Sequence, residues 1–228
     1  MEEILPAQEK ENYNFIFMLN PKDKLIISVA NEPFNKIIEL VKDYKKIELR
    51  LNQLSLTNEE ILEVIDNSKL VVITDIAELN DVNNFHKINF RSDQLEKIFI
   101  DCPIDKIENE KLIQYIKKNT IKKILSYHQW APIKNTTDMY LHLMKKIMDK
   151  TKIGKFSIIK IAVLIENSSE LKILFSLFNE YPDSNFILIP LGEKFQKARI
   201  KSLELGSKYM FCYVNQPITS CQLHYEDY

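Results

Sequence analysis

Glycine is almost missing from this chain: three occur in 228 residues, Gly154, Gly192 and Gly206, and none lies near another. A phosphate-cradling loop needs several closely spaced glycines so that backbone amides can approach the ligand, which argues against nucleotide binding through a Rossmann or P-loop motif. Cysteine is scarce as well. Cys102, Cys212 and Cys221 are odd in number and have no close spacing, implying neither a disulfide framework nor a zinc site, and a reducing cytoplasm fits them best. No apolar run approaches the roughly 18 residues that span a bilayer. The acidic start "MEEILPAQEKENYNF" lacks the basic opening and apolar stretch of a secretory signal. Neither charge sign dominates: 31 Lys and Arg are interspersed with 32 Asp and Glu for a formal net charge of -1. The footprint of a protein that tracks nucleic-acid phosphates is therefore lacking. What remains is a soluble globular protein, 45% hydrophobic, without membrane, nucleic-acid or metal partners.

The hydrophobic residues are strongly organised. Short apolar or β-branched runs recur at 24–30, 46–51, 69–76, 97–102, 122–128, 156–164, 185–191 and 208–214. Between them lie segments of helical period, including "PFNKIIELVKDY", "TNEEILEVIDN", "ENEKLIQYIKKN", "TTDMYLHLMKKIMDK", "SSELKILFSLFNEY" and "KFQKARIKSLEL", with caps expected at Thr57 and Asn167. The Asn-rich stretch after the third run is the least helical. Eight strand-helix units of about 25 to 30 residues predict a single-domain (β/α)₈ barrel over 23–228 rather than an open doubly wound sheet. Residues 1–22 form an N-terminal extension in which "NFIFML" is expected to make a hairpin across the turn at Asn20 to Asp23. The last helix is short or missing, because the chain stops soon after the eighth strand.

Function in such a barrel collects at the carboxyl ends of the strands. The polar residues there are Glu48, Arg50, Thr74, Asp101, Ser126, His128 and Lys160. Lys160 is the sharpest signal, because it interrupts the most apolar run of the chain, "FSIIKIAVLI". A desolvated ammonium is disfavoured, and the free amine is a nucleophile able to form a Schiff base with a ketone or aldehyde. The competing reading is a structural lysine salt-bridged to Glu48 or Asp101. If the lysine serves catalysis at a stability cost, Lys160→Met is expected to be at least as stable as the parent. His128, on the adjacent strand, could shuttle protons for imine chemistry. Glu48 and Arg50 are two apart and face the same way, as a buried ion pair or as substrate-orienting groups. Asp101 either holds the histidine in one tautomer or caps its strand. Arg199 reads on its own as a solvated helix charge.

Taken in order, "ELR" (48–50), "SYH" (126–128), "KIAV" (160–163), Gly192 followed seven residues later by Arg199, "LGS" (205–207) and a terminal loop ending at Gln222 resemble type I 3-dehydroquinate dehydratase. The likeness runs through essentially the whole chain after residue 20. It implies a barrel, usually a homodimer, that dehydrates 3-dehydroquinate to 3-dehydroshikimate without metal or organic cofactor. The substrate ketone would condense with Lys160, and His128 would take part in proton removal and water loss. Glu48 and Arg50 would contact substrate hydroxyls, Asp101 would support the histidine, and Arg199 with Gln222 would bind the substrate carboxylate.

Several positions depart from that pattern. The family's third strand carries Thr-x-Arg with a substrate-contacting arginine, where this chain has Ile76. The acid four residues on falls at Asn80, with Glu78 close by, and Asn52 replaces an aspartate. In the Ser-Ala-Pro-Gly-Gln loop, read here as "ITSCQ", Ile218 stands for the serine and Cys221 for the glycine, leaving Thr219 or Ser220 as substitute hydroxyls only if the loop shifts. Phe195 replaces a glycine and is expected to narrow the pocket mouth, and Arg91 is a candidate for rebuilding the lost shell. Each lost charged hydrogen bond to substrate would cost about 1.5 to 3 kcal/mol. Two other readings stay open: the same scaffold acting on a different carbonyl substrate, and a non-catalytic barrel kept for binding.

Overall fold

The computed structural model describes residues 20–75, 88–106, 114, 120–130, 147 and 156–228. Eight parallel strands form a nearly closed barrel: β1 (Leu25–Val29), β2 (Lys46–Arg50), β3 (Leu70–Thr74), β4 (Ile98–Pro103), β5 (Lys122–Gln129), β6 (Ile158–Leu164), β7 (Phe186–Leu191) and β8 (Met210–Cys212). Each pairs with its sequence neighbour from β1 to β7, and β8 closes onto the other edge of β1. The last seam, between β7 and β8, is bridged locally. Lys208 N–H donates to the Phe186 carbonyl at 2.7 Å, and Leu188 N–H donates to Ser207 Oγ at 3.2 Å.

All eight sequence runs coincide with strands. Most strand residues are buried whichever way they point, as parallel strands are when barrel interior and helical layer cover their two faces. The described helices are α1 (Phe34–Asp43), α2 (Asn58–Asn67), α3 (Ser92–Leu95), α4 (Ser168–Glu180) and α5 (Ala198–Glu204). Thr57 and Glu60 make a reciprocal capping box on α2, and Asn167 Oδ1 accepts from the Ser169 and Glu170 amides on α4, both at 3.0 Å. The helices expected near 108–119 and 136–150 fall mainly outside the described residues. Among the described residues, the segment after β8 carries a single 3₁₀ turn, Tyr225–Asp227, and no α-helix. No described helix is long and apolar enough to cross a membrane.

Residues 1–19, including the first arm of the expected hairpin, lie outside the described residues. The run on which that arm was expected to pair is β1, and both of its edges are occupied by parallel neighbours. The turn itself is a 3₁₀ helix, Pro21–Lys24. Gly192, just past β7, is required by its backbone: φ is +101°, and a Cβ there would lie 3.1 Å from Leu164 Cδ1.

Candidate active site

The strand ends converge on two adjoining cavities. The larger, about 550 Å³, is lined by the ends of β2 to β5 and the loops after them; the smaller, about 80 Å³, lies toward β1, β7, β8 and the terminal loop. Glu48, Arg50, His128, Trp130 and Lys160 belong to both. Asp101 lies in the larger lobe, Arg199 and Gln222 in the smaller. All seven residues named as site candidates from the sequence thus surround one continuous space.

Lys160 is 4% exposed and faces Ser126 across the β5–β6 ladder. Its ammonium donates to Asp101 Oδ2, and it lies 4.8 Å from the centre of the Phe211 ring. Of the two carboxylates offered as salt-bridge partners, Asp101 is the one that takes the lysine. It makes no hydrogen bond to His128. Asp101 Oδ1 and Ser126 Oγ, both buried, lack a hydrogen-bond partner among the described residues, so two polar atoms beside the amine are available to a ligand hydroxyl.

His128 exposes surface at the mouth, yet protein crowds its ring on most sides. Desolvation, with repulsion from Lys160 adding to it, lowers its pKa to about 4. The imidazole is therefore neutral at pH 7 and can accept a proton. Glu48 is raised above the usual carboxylate range by burial, which outweighs the opposing Lys160 ammonium and Ser28 hydroxyl. Ser28 Oγ also accepts from Gln222 Nε2 at 3.0 Å, and Gln222 Oε1 accepts from the Ile218 amide at 2.9 Å. A polar chain therefore ties β1 to the terminal loop.

Arg199 is no solvated helix charge. It is 3% exposed, turned inward from α5, with Nε donating to the Pro190 carbonyl at 3.3 Å and Nη2 to Cys221 Sγ at 3.4 Å. Among the described residues no carboxylate pairs with it. Two other expectations are corrected. Arg91 rebuilds nothing in the pocket, because it is held on the surface by Asp66 (2.7 Å) and Asp93 (3.2 Å). Phe195 does not line either cavity; it packs against the β6–β7 side of the core. Of the substitute hydroxyls, Thr219 lines the smaller lobe beside Ile218, whereas Ser220 is exposed. Ile76, Glu78 and Asn80 lie outside the described residues.

The sequence reading missed Ser28, Trp130, Phe211 and Asp75. Ser28 had a signal, an inward hydroxyl near the end of the first strand. Asp75 gave none, because its place in the wall depends on a left-handed backbone, φ +64°.

No protein-family model matches the chain. Curated 3-dehydroquinate dehydratases do. The protein of that name from Sulfolobus acidocaldarius is 27% identical over 216 residues, covering 92% of this chain and 91% of the relative. That from Thermodesulfovibrio yellowstonii is 25% identical over 215 residues, covering 90% and 89%. The chain is a divergent relative of the 3-dehydroquinate dehydratases. The type I 3-dehydroquinate dehydratase of Clostridium difficile, solved with covalently modified comenic acid, superposes on it with a TM-score of 0.67 over 90% of this chain and 89% of that one, at 16% identity. In this divergent relative the buried thiols of Cys102 and Cys212 are raised to about 12 by desolvation, which makes them packing groups.

Proposed function

We propose that this chain is a type I 3-dehydroquinate dehydratase, a lyase that works through a Schiff base on Lys160. The observation that carries the reading is the position of that amine, sealed at the junction of the two lobes beside a neutral imidazole, with a buried cation that has no carboxylate partner among the described residues, Arg199, in the wall of the smaller lobe.

Arg199 and Gln222 hold the substrate carboxylate, and Glu48 and Arg50 meet its ring hydroxyls. The Lys160 ammonium passes a proton to Asp101 or His128 and attacks the ketone carbon, forming a carbinolamine. Loss of water from that adduct gives the imine, which acidifies the adjacent carbon. His128 takes the proton from C2, and the electron pair expels the C1 hydroxyl, which leaves as water with a proton returned by His128. Hydrolysis of the imine then frees 3-dehydroshikimate and the amine. The reaction asks for no metal or organic cofactor. The same reading carries a cytoplasmic homodimer with residues 23–228 as its catalytic domain.

A second reading has its own observation: Ile218 stands in the wall of the smaller lobe, where the family's substrate-binding serine is expected, and makes that wall more apolar. An enzyme with this pocket would form imines with a different carbonyl compound. Incubation with 3-dehydroquinate and borohydride, followed by peptide mass spectrometry and an ultraviolet assay for the conjugated enone, separates the two. A reduced adduct on Lys160 with enone formation is the expected result. Folded protein giving neither overturns the dehydratase reading.

A further inference from the structure

Arg50 and Arg199 both line the smaller lobe, Arg50 extends the wall into the larger one, and the two are in different electrostatic situations. Arg50, at the end of β2, donates through Nε to Asp75 Oδ2 at 2.9 Å, with both side chains partly buried at 27% and 16% exposure. Arg199 donates to a carbonyl and a thiol, approaches the Tyr228 hydroxyl, and has no carboxylate partner among the described residues. Lys160, like Arg50, lies in the wall shared by both lobes.

Asp75 is built into this place. It is the first residue past β3, and Arg50 is the register partner of Thr74 directly before it. Its φ of +64° is a conformation that aspartate and asparagine tolerate and most other side chains resist. Its Oδ2 also lies 3.5 Å from Thr74 Oγ1. A guanidinium gripped at Nε has fewer rotamers to lose, and its remaining donors keep one direction.

We propose that Asp75 is a specificity-determining residue. By neutralising and orienting Arg50 it makes the β2–β3 end of the pocket a site for uncharged hydroxyl groups, and it leaves Arg199 as the anchor for the ligand's carboxylate. A hydroxylated ring acid then lies in one direction across Lys160. This deepens the dehydratase reading, on which it rests for the role of Lys160. The preference itself belongs to binding and does not require turnover.

Trp130, the only tryptophan, lines both lobes and reports occupancy by its fluorescence. Titrations with quinate, a polyhydroxylated ring carboxylate without a ketone, and with cyclohexanecarboxylate, which has the acid alone, measure hydroxyl recognition as a ratio of Kd values. The parent is expected to favour quinate by about tenfold or more, the worth of one charged hydrogen bond. Asp75→Asn keeps the shape and the tolerated backbone but removes the charge. Arg50 then competes for carboxylate, and the ratio is expected to fall to about threefold or less, mainly through tighter cyclohexanecarboxylate binding. Arg50→Gln is expected to lower the ratio as well, without that gain for the plain acid. An unchanged ratio in Asp75→Asn, no preference in the parent, or no binding of either acid overturns the inference. Absence of a borohydride adduct with dehydroquinate overturns the dehydratase reading and leaves these ratios to stand or fall separately.

Discussion

Replacing Lys160 with methionine removes a cation and leaves its carboxylate partner behind. The side chains of Lys160 and Asp101 are 5% and 3% exposed, and Asp101 Oδ1 has no hydrogen-bond partner among the described residues even in the parent. Breaking a buried pair from one side costs about 3–5 kcal/mol, against about 0–1 kcal/mol for an exposed one. For a chain of this size each kcal/mol moves Tm by about 2–4 °C, so Lys160→Met is expected to melt roughly 6–20 °C below the parent at pH 7. This reverses the expectation attached to a lysine kept for catalysis at a stability cost, and follows the competing expectation of a salt bridge to Asp101. Lys160→Met/Asp101→Leu replaces both charges with apolar groups, and its Tm is expected to return to within a few degrees of the parent or rise above it, with no imine adduct formed. Thermal melts of parent, both single variants and the double variant, followed by circular dichroism, complete the cycle. A Lys160→Met protein as stable as the parent would refute the reasoning, because Asp101 would then bear no cost when its cation is removed.

Two further predictions concern pH. His128 must be neutral to accept a proton, so its lowered pKa of about 4 predicts activity that stays level from neutrality down to about pH 5 and falls below it. The unfolded imidazole titrates near 6.5, so between those values the unfolded chain binds more protons. Stability from this group is complete above the window and declines as pH drops through it. Urea unfolding of His128→Gln across that range is expected to show a shallower decline than the parent. Glu48 has the opposite linkage: a raised folded pKa means that the folded chain holds its proton longer, and stability falls as pH climbs from the unfolded value of 4.5 through the folded one. Glu48→Gln, which cannot ionise, is expected to be at least as stable as the parent at pH 7 while binding substrate less tightly; marked destabilisation in the melts would count against burial as the dominant cause.

The barrel and the meeting of a lysine and a histidine at its strand ends were both legible in the sequence. The eight apolar runs could be counted because parallel strands covered on both faces leave nearly uninterrupted hydrophobic stretches, and the caps at Thr57 and Asn167 carry local side-chain signatures. Lys160 stood out for the same reason: a charge in such a stretch needs an explanation. Arg199 was legible only through the family resemblance. A helical arginine in isolation looks solvated, and whether its helix turns it inward depends on packing against β7 and the terminal loop. Arg91 shows the converse. Its charge suggested a replacement in the pocket, but Asp66 and Asp93, one of them distant in sequence, fix it on the surface.

The sequence by itself determined the order of strands, the inward parity of Glu48 with Arg50 and the presence of an amine in an apolar strand, because these depend on local periodicity and composition. Tertiary structure alone decided which carboxylate meets that amine, which arginine meets an aspartate and which has no carboxylate partner among the described residues. Those pairings join residues 25 and 59 positions apart, across different strands. Coulomb attraction acts through space, and only the closed barrel brings these charges within reach.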